Sequence, residues 1–161
     1  MTTEHKITGL SVAINRAAEA RNAGKRVVTT NGAFDLFSVP HLLLLEFARS
    51  QGDCLCVGVN SDASVRAIKG KGRPIVPQEE RARIVAGLAC TDCVFLFDGP
   101  DPRSWLPLIR PDVHVNSAEY TEQCVEAEML REIGATLVLH PRDTAHRSTS
   151  DVLAHIHSLP Q

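Results

Sequence analysis

A histidine at the start of a predicted helix is the first residue of this sequence that suggests chemistry. In NGAFDLFSVPH, from Asn31 to His41, Gly32 permits a close backbone turn, Ser38 is a natural N-cap and Pro40 suits a first helical turn. Exposed N–H groups at a helix N-terminus attract phosphate, and the adjacent His41 can donate to a phosphoryl oxygen as charge develops. The alternative is that His41 only occupies a helix start without a ligand.

The second candidate is a basic segment, IKGKGRPIVP, residues 68–77, which we call the basic flap. Lys69, Lys71 and Arg73 lie among two glycines, so the backbone is loose and the cations have no evident protein partner. We expect the basic flap to be mobile without a ligand and ordered over the phosphates of a nucleoside triphosphate. The alternative is a solvated connector that binds nothing.

Arg81 falls on the apolar side of a predicted helix. The spacing i, i+3, i+4, i+7 of one helix face is occupied by Arg81, Ile84, Val85 and Leu88. A guanidinium in that position must extend to solvent, pair with a carboxylate or contact a ligand phosphate. We favour the phosphate contact and predict that Arg81 is a rigid anchor for the triphosphate.

Three consecutive hydroxyl residues, Ser148, Thr149 and Ser150, open the last predicted helix. A helix start of this kind is a second candidate phosphate site, because its free N–H groups and hydroxyls can all donate to an anion. Ordinary N-capping is the alternative, since one hydroxyl would suffice for it.

Strands and helices alternate along the chain, which implies right-handed crossovers and a parallel sheet. The predicted strands are Arg26–Thr30, Cys54–Asn60, Cys93–Phe97, Asp112–Asn116 and Thr136–His140. The predicted helices are Ser11–Gly24, Val39–Gln51, a helix near Ala63, Gln78–Leu88, Pro102–Ile109, Thr121–Ile133 and a last helix from about Ser148. The strands are apolar runs, typical of strands covered on both faces. We predict an α/β fold with a Rossmann-like, doubly wound five-stranded parallel sheet, helices on both faces and ligands at the carboxyl ends of the strands.

Length and composition narrow the class of function. A chain of 161 residues fits one domain, residues 1–161, and a net charge of −2 with 4% aromatic residues argues against a nucleic-acid partner. No apolar run approaches the roughly 20 residues that span a bilayer and the first residues lack a targeting pattern, so we expect a cytoplasmic protein without a membrane partner. The five cysteines are expected to be reduced thiols, and the pair in CTDC lacks the further ligands of a metal site.

Taken together, these segments resemble the cytidylyltransferase-like nucleotidyltransferase superfamily, in particular the bacterial enzymes that adenylylate D-glycero-β-D-manno-heptose 1-phosphate. The resemblance runs from about Lys25 to Ile156. NGAFDLFSVPH is similar to the family's N-G-C-F-D-x-x-H-x-G-H segment, and VGVNSDASVRAIKGKGRPIVPQEERARIVAGL to its central block. RSTSDVL is similar to the closing S-T-T-x-I-I. The central block is the most specific of the three.

The resemblance implies a reaction in which an oxygen of a sugar phosphate attacks the α-phosphorus of a nucleoside triphosphate in line and expels pyrophosphate, with Mg²⁺ on the phosphates. The partners are then a nucleoside triphosphate, which the central block indicates is ATP, and a phosphorylated small molecule. Catalytic roles are implied for His41, Lys69 and Arg81. Nucleotide-binding roles are implied for Asn31, Gly32, Ala33, Phe34, Ser38, His41, Arg73, Arg81, Ser148, Thr149 and Ser150. Acceptor-binding roles are implied for Asp35, Asn60, Asn116, Glu119 and Tyr120, and no protein metal site is expected.

The sequence departs from the family pattern in two segments. Ser38 stands where the family has the first histidine of H-x-G-H, and Pro40 stands where it has the glycine. In the segment after the fourth predicted strand, the family's K-G-G-D-Y is NSAEY here, so that Asn116 replaces the lysine. Loss of one stabilising donor typically costs about 10²–10³ in rate. Lys71 or Arg142 could replace the missing charge.

Four functions remain open from the sequence alone. The first is an adenylyltransferase acting on a sugar phosphate, and the second is a cytidylyltransferase acting on another small phosphate ester. The third is a catalytically impaired, nucleotide-binding or regulatory homologue, and the fourth is a structural partner that binds no ligand. In each case we expect a symmetric homodimer, because the leucines of HLLLLEF, residues 41–47, cover more than one stripe of their helix.

Overall fold

A computed structural model describes residues 2–118, 123–141 and 143–160. In chain order the elements are β1 (Ile7–Thr8), α1 (Leu10–Asn22), β2 (Val27–Gly32), α2 (Val39–Ser50), β3 (Cys54–Asn60), α3 (Asp62–Lys69), α4 (Gln78–Gly87), β4 (Cys93–Phe97), α5 (Leu106–Ile109), β5 (Val113–Ser117), α6 (Ala127–Glu132), β6 (Thr136–His140) and α7 (Thr149–His157). Short 3₁₀ turns occupy Glu4–Lys6 and Pro102–Ser104. No helix among the described residues is long and apolar enough to cross a membrane.

The strands form one parallel sheet in the order β1-β4-β3-β2-β5-β6. From β2 the chain moves outward through β3 to β4, and it then returns to place β5 and β6 on the other side of β2. The strand order therefore reverses between β2 and β5. In a doubly wound sheet this reversal opens a crevice at the carboxyl ends of the strands, where ligands bind.

The sheet buries apolar side chains on both faces, as the apolar strands predicted. Along β3, Leu55 and Val57 face a core that includes Leu45 of α2 and Val85 of α4. On the other face, a second core joins buried residues of β2, β3 and β4 to α1, α5 and α6. The predicted α/β, doubly wound parallel architecture is thus confirmed, and it holds the strand ends rigidly beneath the crevice.

The predicted number of strands was wrong by one. The sheet has six strands because β1 pairs with the outer edge of β4, with Ile7 opposite Val94 and Thr8 opposite Phe95. A strand of two residues is too short to show any hydrophobic period, and its pairing partner lies far along the chain. Sequence periodicity therefore had no signal from which to find it.

Two predicted helices are shorter in the structure. The predicted helix Pro102–Ile109 is a 3₁₀ turn followed by the single-turn helix α5, and Pro107 lies near the start of α5. Proline lacks an N–H and clashes with the preceding turn, so a continuous helix cannot pass through that position. The predicted helix Thr121–Ile133 begins at Ala127 within the described part of the chain. Thr121 and Glu122 lie outside the described residues.

Candidate nucleotide site

A cleft of about 720 Å³ lies at the carboxyl ends of β5 and β6 and at the starts of α2 and α7. It is therefore next to the reversal in strand order. Among its lining residues are several that the sequence singled out, namely Ser38, His41, Lys69, Arg73, Ser148, Thr149 and Ser150. The fold thus brings together residues that are more than 100 positions apart in the sequence.

His41 is held in one orientation by the residue that caps its helix. Ser38 has the extended backbone of an N-cap, and its N–H donates to His41 Nδ1 at 3.1 Å. The Ser38 hydroxyl oxygen lies 3.1 Å from the same ring nitrogen. The imidazole also packs against the rings of Phe34 and Phe37, with centroids 5.7 and 5.5 Å away. The ring therefore has little freedom to rotate.

The proton on the His41 ring follows from these contacts. Burial, and then the charge of Lys69, lower the pKa of His41 to about 4, against an opposing contribution from Asp35. The imidazole is therefore neutral at pH 7. Because Nδ1 accepts the Ser38 N–H, the ring proton is on Nε2. His41 is thus a neutral donor on the wall of the cleft, at the N-terminal end of a 12-residue helix.

The basic flap is tied to the loop after β2 by one carboxylate. The Asp35 side chain accepts hydrogen bonds from the backbone N–H groups of Ile75 at 3.0 Å and Val76 at 2.9 Å. Arg73 Nε lies 3.1 Å from Asp35 Oδ2, an ion pair by distance without aligned hydrogen-bond geometry. The expectation that the flap cations lack protein partners is therefore wrong for Arg73. Asp35 itself is almost fully buried.

Arg81 is fully buried and uses its donors within the protein. Nε donates to the carbonyl of Val76 at 2.9 Å, Nη2 donates to Asp62 Oδ1 at 2.8 Å, and Nη1 donates to the carbonyl of Ala33. It does not line the cleft. We predicted that Arg81 would contact a ligand phosphate rather than a carboxylate. The structure corrects this prediction, because Arg81 pairs with Asp62. Arg81 connects the basic flap, the loop after β2 and the start of α3.

The loop after β2 turns at different residues from those expected. Gly32 ends β2, and a Cβ built there would lie 3.2 Å from the Phe34 ring, so its small size matters for packing. Positive φ occurs instead at Phe34 and Leu36, at 50° and 48°. The predicted close turn at Gly32 is therefore wrong in position. The buried amide oxygen of Asn31 has no hydrogen-bond partner among the described residues.

Three of the residues predicted to bind the acceptor, Asp35, Asn60 and Asn116, are not among the described residues that line the cleft. Asn60 is buried and donates to Ser64 Oγ at 2.9 Å. Asn116 is buried and donates to a carboxylate oxygen of Glu126. Glu119 and Tyr120, together with Arg142 as a replacement cation, lie outside the described residues. The binding roles of Glu119, Tyr120 and Arg142 therefore stay predictions.

The start of α7 shows both capping and a contact with the loop after β2. Ser148 is the N-cap and exchanges hydrogen bonds with Asp151, whose Oδ2 accepts from the Ser148 N–H at 2.8 Å. Thr149 Oγ1 donates to the backbone carbonyl of Asp35 at 3.0 Å. Ser150 is exposed on the cleft wall. The capping alternative therefore applies to Ser148, while all three residues still border the cleft.

Two further cleft residues, Asp143 and His146, were missed by the sequence analysis. Asp143 Oδ2 lies 2.8 Å from His146 Nδ1. The available signal is the D-x-x-H spacing, which Arg147 separates from the three hydroxyls.

Residues 29–155 match the family model described as Cytidylyltransferase-like. The chain belongs to this family. Bifunctional protein HldE of Geobacter sulfurreducens is 44% identical over 135 residues, which are 83% of this chain and 28% of that protein. The protein of the same name from Streptomyces coelicolor is also 44% identical, over 83% of this chain and 29% of its own length. This chain therefore spans less than a third of the length of these relatives.

Solved structures share the fold of this chain. The lipopolysaccharide core biosynthesis protein of Thermoplasma volcanium has a TM-score of 0.59 and 25% identity, covering 74% of this chain and 98% of its own. Pantothenate synthetase of Thermus thermophilus has a TM-score of 0.58 at 17% identity, covering 91% of this chain and 67% of its own, and shares the fold alone.

The cleft of this cytidylyltransferase-like chain offers donors of several kinds. His41 presents an uncharged N–H, Lys69 and Arg73 present cations, and the start of α7 presents backbone N–H groups. Such an arrangement can hold an anion without supplying a nucleophile. The chemistry that it can support is therefore charge stabilisation and positioning.

Proposed function

We propose that this chain is a nucleotidyltransferase that transfers AMP from ATP to a sugar phosphate, such as heptose 1-phosphate, and releases pyrophosphate. The observation that carries the proposal is the neutral His41, fixed with its Nε2 proton in a cleft that Lys69 and Arg73 also line. A neutral imidazole can donate to a phosphoryl oxygen without first losing or gaining a proton.

In the proposed reaction an oxygen of the acceptor phosphate forms a bond to the α-phosphorus of the nucleotide. The bond from that phosphorus to the bridging oxygen breaks, and the electron pair leaves with pyrophosphate. His41 donates to a non-bridging oxygen of the reacting phosphate as negative charge develops there. No covalent intermediate with the protein is required, since positioning and charge stabilisation account for this class of transfer.

The cations and the helix N-termini are proposed to stabilise the charge of the phosphates. Lys69 and Arg73 are proposed to contact the β- and γ-phosphates, because both extend from the basic flap into the cleft. The N-terminal ends of α2 and α7 add partial positive charge on the same cleft. Arg81 is proposed to act indirectly, by holding the flap through the Val76 carbonyl.

Mg²⁺ is proposed to enter the cleft on the nucleotide. No group of three or more His, Cys, Asp or Glu side chains in the described part of the chain is placed to hold a metal ion. Magnesium keeps several waters and commonly binds through substrate phosphates, which fits a cleft with cations and isolated carboxylates. When bound, the ion would neutralise part of the triphosphate charge.

The choice of ATP rests on the resemblance of the central block to adenylyltransferases. The choice of a sugar phosphate is supported by the likeness to the lipopolysaccharide core biosynthesis protein of Thermoplasma volcanium. CTP with another small phosphate ester is the alternative within the same reaction class. We also propose that the chain works in the cytoplasm, where nucleoside triphosphates are made.

A nucleotide-binding protein without turnover is a second candidate, favoured by the surroundings of Asn116. This residue stands where the family has a lysine, and its buried amide is already bonded to Glu126. It therefore offers no cation to the reaction. Under this proposal the cleft would bind the triphosphate without transferring its nucleotidyl group.

A pyrophosphate-release screen separates the two candidates. ATP, CTP, GTP and UTP would each be combined with a panel of sugar and polyol phosphates in the presence of Mg²⁺. The expected result is release with ATP and a heptose or related sugar 1-phosphate. Nucleotide binding without release in any combination would contradict the enzyme and support the binding protein.

A further inference from the structure

The segment between β6 and α7 contributes two polar side chains to the cleft wall, Asp143 and His146. They are three residues apart, and His146 lies two residues before Ser148, the N-cap of α7. Neither belongs to the motifs that carry the family resemblance, and neither is used in the reaction proposed above. In the sequence, this pair lies near the C-terminal end of the cleft-lining residues, well after the basic flap.

The pair has a defined geometry. The Asp143 side chain is only 9% exposed, against 47% for His146, so the carboxylate is the fixed member. Its Oδ1 accepts the backbone N–H of Ala145 at 2.8 Å, and its Oδ2 lies 2.8 Å from His146 Nδ1. The Ala145 N–H and the imidazole hold the pKa of Asp143 below its usual range. An ionised carboxylate only accepts, so Nδ1 must carry the proton of this hydrogen bond.

The orientation of His146 determines what it can offer a ligand. With Nδ1 committed to Asp143, the remaining ring nitrogen is Nε2. In the neutral ring this nitrogen has a lone pair and accepts a hydrogen bond. A neutral His146 would therefore be the reverse of His41, whose Nε2 carries the proton and donates. Such a ring would offer the cleft an acceptor, whereas His41 offers a donor.

We propose that Asp143 and His146 form a subsite for a sugar hydroxyl, with His146 Nε2 accepting from the O–H and Asp143 acting as the positioning residue. The inference rests on the proposed function, whose two substrates both carry a sugar. A phosphate is the poorer ligand at His146 itself, because the carboxylate of Asp143 lies 2.8 Å from the ring nitrogen Nδ1. That carboxylate repels an anion at the imidazole but does not oppose a hydroxyl donor.

The hydroxyl could belong to the ribose of the nucleotide or to the acceptor sugar. Calorimetry at pH 8 would measure binding of ATP, 2′-deoxy-ATP, 3′-deoxy-ATP and the sugar phosphate separately. The variants are His146→Ala, which removes the acceptor, and His146→Gln, whose amide oxygen restores one. His157→Ala is the matched control, since this exposed histidine lies on α7 and bonds to the Leu153 carbonyl outside the cleft.

We expect His146→Ala to weaken binding of one sugar-bearing substrate by about 3- to 10-fold, the effect of one uncharged hydrogen bond, with recovery in His146→Gln. A ribose contact predicts weaker ATP binding and no further loss for the deoxynucleotide that lacks the contacted hydroxyl. An acceptor contact predicts unchanged ATP binding and weaker binding of the sugar phosphate. In steady state, KM for that substrate should rise while kcat changes little.

Two results would overturn the subsite. One is equal affinity for every substrate in wild type and His146→Ala, and the other is a loss in His146→Ala that His146→Gln does not restore. The proposed function has a different failure, which is absence of pyrophosphate release by the wild type. If release is absent, the ATP and deoxynucleotide titrations still decide whether His146 contacts a ribose, and sugar-phosphate titration decides the acceptor arm.

Discussion

At the residue scale, the central feature is the neutral His41 at the start of α2. Its donor role predicts that His41→Ala lowers turnover by about 10²–10³ while the fold is retained, the usual cost of one transition-state donor. The measurement is kcat from pyrophosphate release, together with a thermal melt. His5→Ala is the control, because His5 lies in the exposed 3₁₀ turn near the N-terminus. Unchanged turnover in His41→Ala would remove His41 from the mechanism.

The same residue predicts the acid limb of the pH profile. The pKa of His41 lies at about 4, so the ring stays neutral at every pH above that value. Below it, protonation of Nδ1 would break the hydrogen bond from the Ser38 N–H and free the ring. We therefore expect activity to fall below about pH 4–5 and not near 6.5, as measured with protein shown by circular dichroism to remain folded. A limb near 6.5 that His41→Ala abolishes would contradict the depressed pKa.

Ser38 gives a second prediction at this scale, because it caps α2 and orients His41. Ser38→Ala should cost about 1 kcal/mol of stability in urea unfolding, the usual cost of a lost N-cap. Its effect on turnover should be smaller than that of His41→Ala, since the backbone N–H that holds Nδ1 remains. The double variant Ser38→His, Pro40→Gly restores the family residues and should raise activity with heptose 1-phosphate. No gain would indicate that the altered segment suits a different acceptor.

At the element scale, the position of the basic flap depends on the carboxylate of Asp35. Asp35→Ala removes the acceptor of the Ile75 and Val76 N–H groups, so amide exchange at both residues should become about tenfold faster or more. Asp35→Asn keeps one acceptor oxygen and should fall between that variant and wild type. Hydrogen exchange read by NMR is the measurement. Equal protection in all three proteins would show that other contacts hold the flap.

The sequence predicted elements better than it predicted the partners of their side chains. Apolar runs located five strands, and helical spacing correctly buried Arg81 and Val85, although Ile84 of the same predicted stripe is 42% exposed. The partners of Arg81 could not be read in the same way, because Ala33 is 48 residues away and Asp62 is 19. Spacing reports which face a residue occupies, whereas an ion pair depends on how separate elements meet. The Asp143–His146 pair is a local exception, because its members are only three residues apart.

At the scale of the whole molecule, α2 still predicts self-association. Leu45 is fully buried, but Leu42, Leu43 and Leu44 are only partly covered by the described residues. We expect a dimer mass in light scattering at tens of micromolar, and a monomer when Leu42 and Leu43 are both changed to lysine. Leu108→Lys is the control, since Leu108 is 51% exposed on α5. A monomer mass for the wild type would exclude the dimer.

The stability of the whole fold should fall in mild acid because two buried histidines resist protonation. Burial lowers the pKa of His114 to about 3, and that of His41 lies at about 4, whereas both groups titrate near 6.5 once unfolded. The unfolded chain therefore binds more protons than the folded chain between about pH 6.5 and 3–4. Stability is fully present above pH 6.5 and declines as the pH falls through that window, by up to about 1.4 kcal/mol per pH unit for each histidine.

His114→Gln tests the larger of the two effects. His114 is fully buried, and its Nδ1 lies 2.8 Å from Thr29 Oγ1, a contact that a glutamine amide can also make with either hydrogen-bond role. Glutamine does not titrate, so the variant should lose less stability between pH 6.5 and 4 than the wild type, whatever its stability at pH 7. Urea unfolding at a series of pH values measures both slopes. Parallel curves would mean that His114 is not the group whose protonation opens the fold, because a residue that gains no proton on unfolding contributes nothing to the slope.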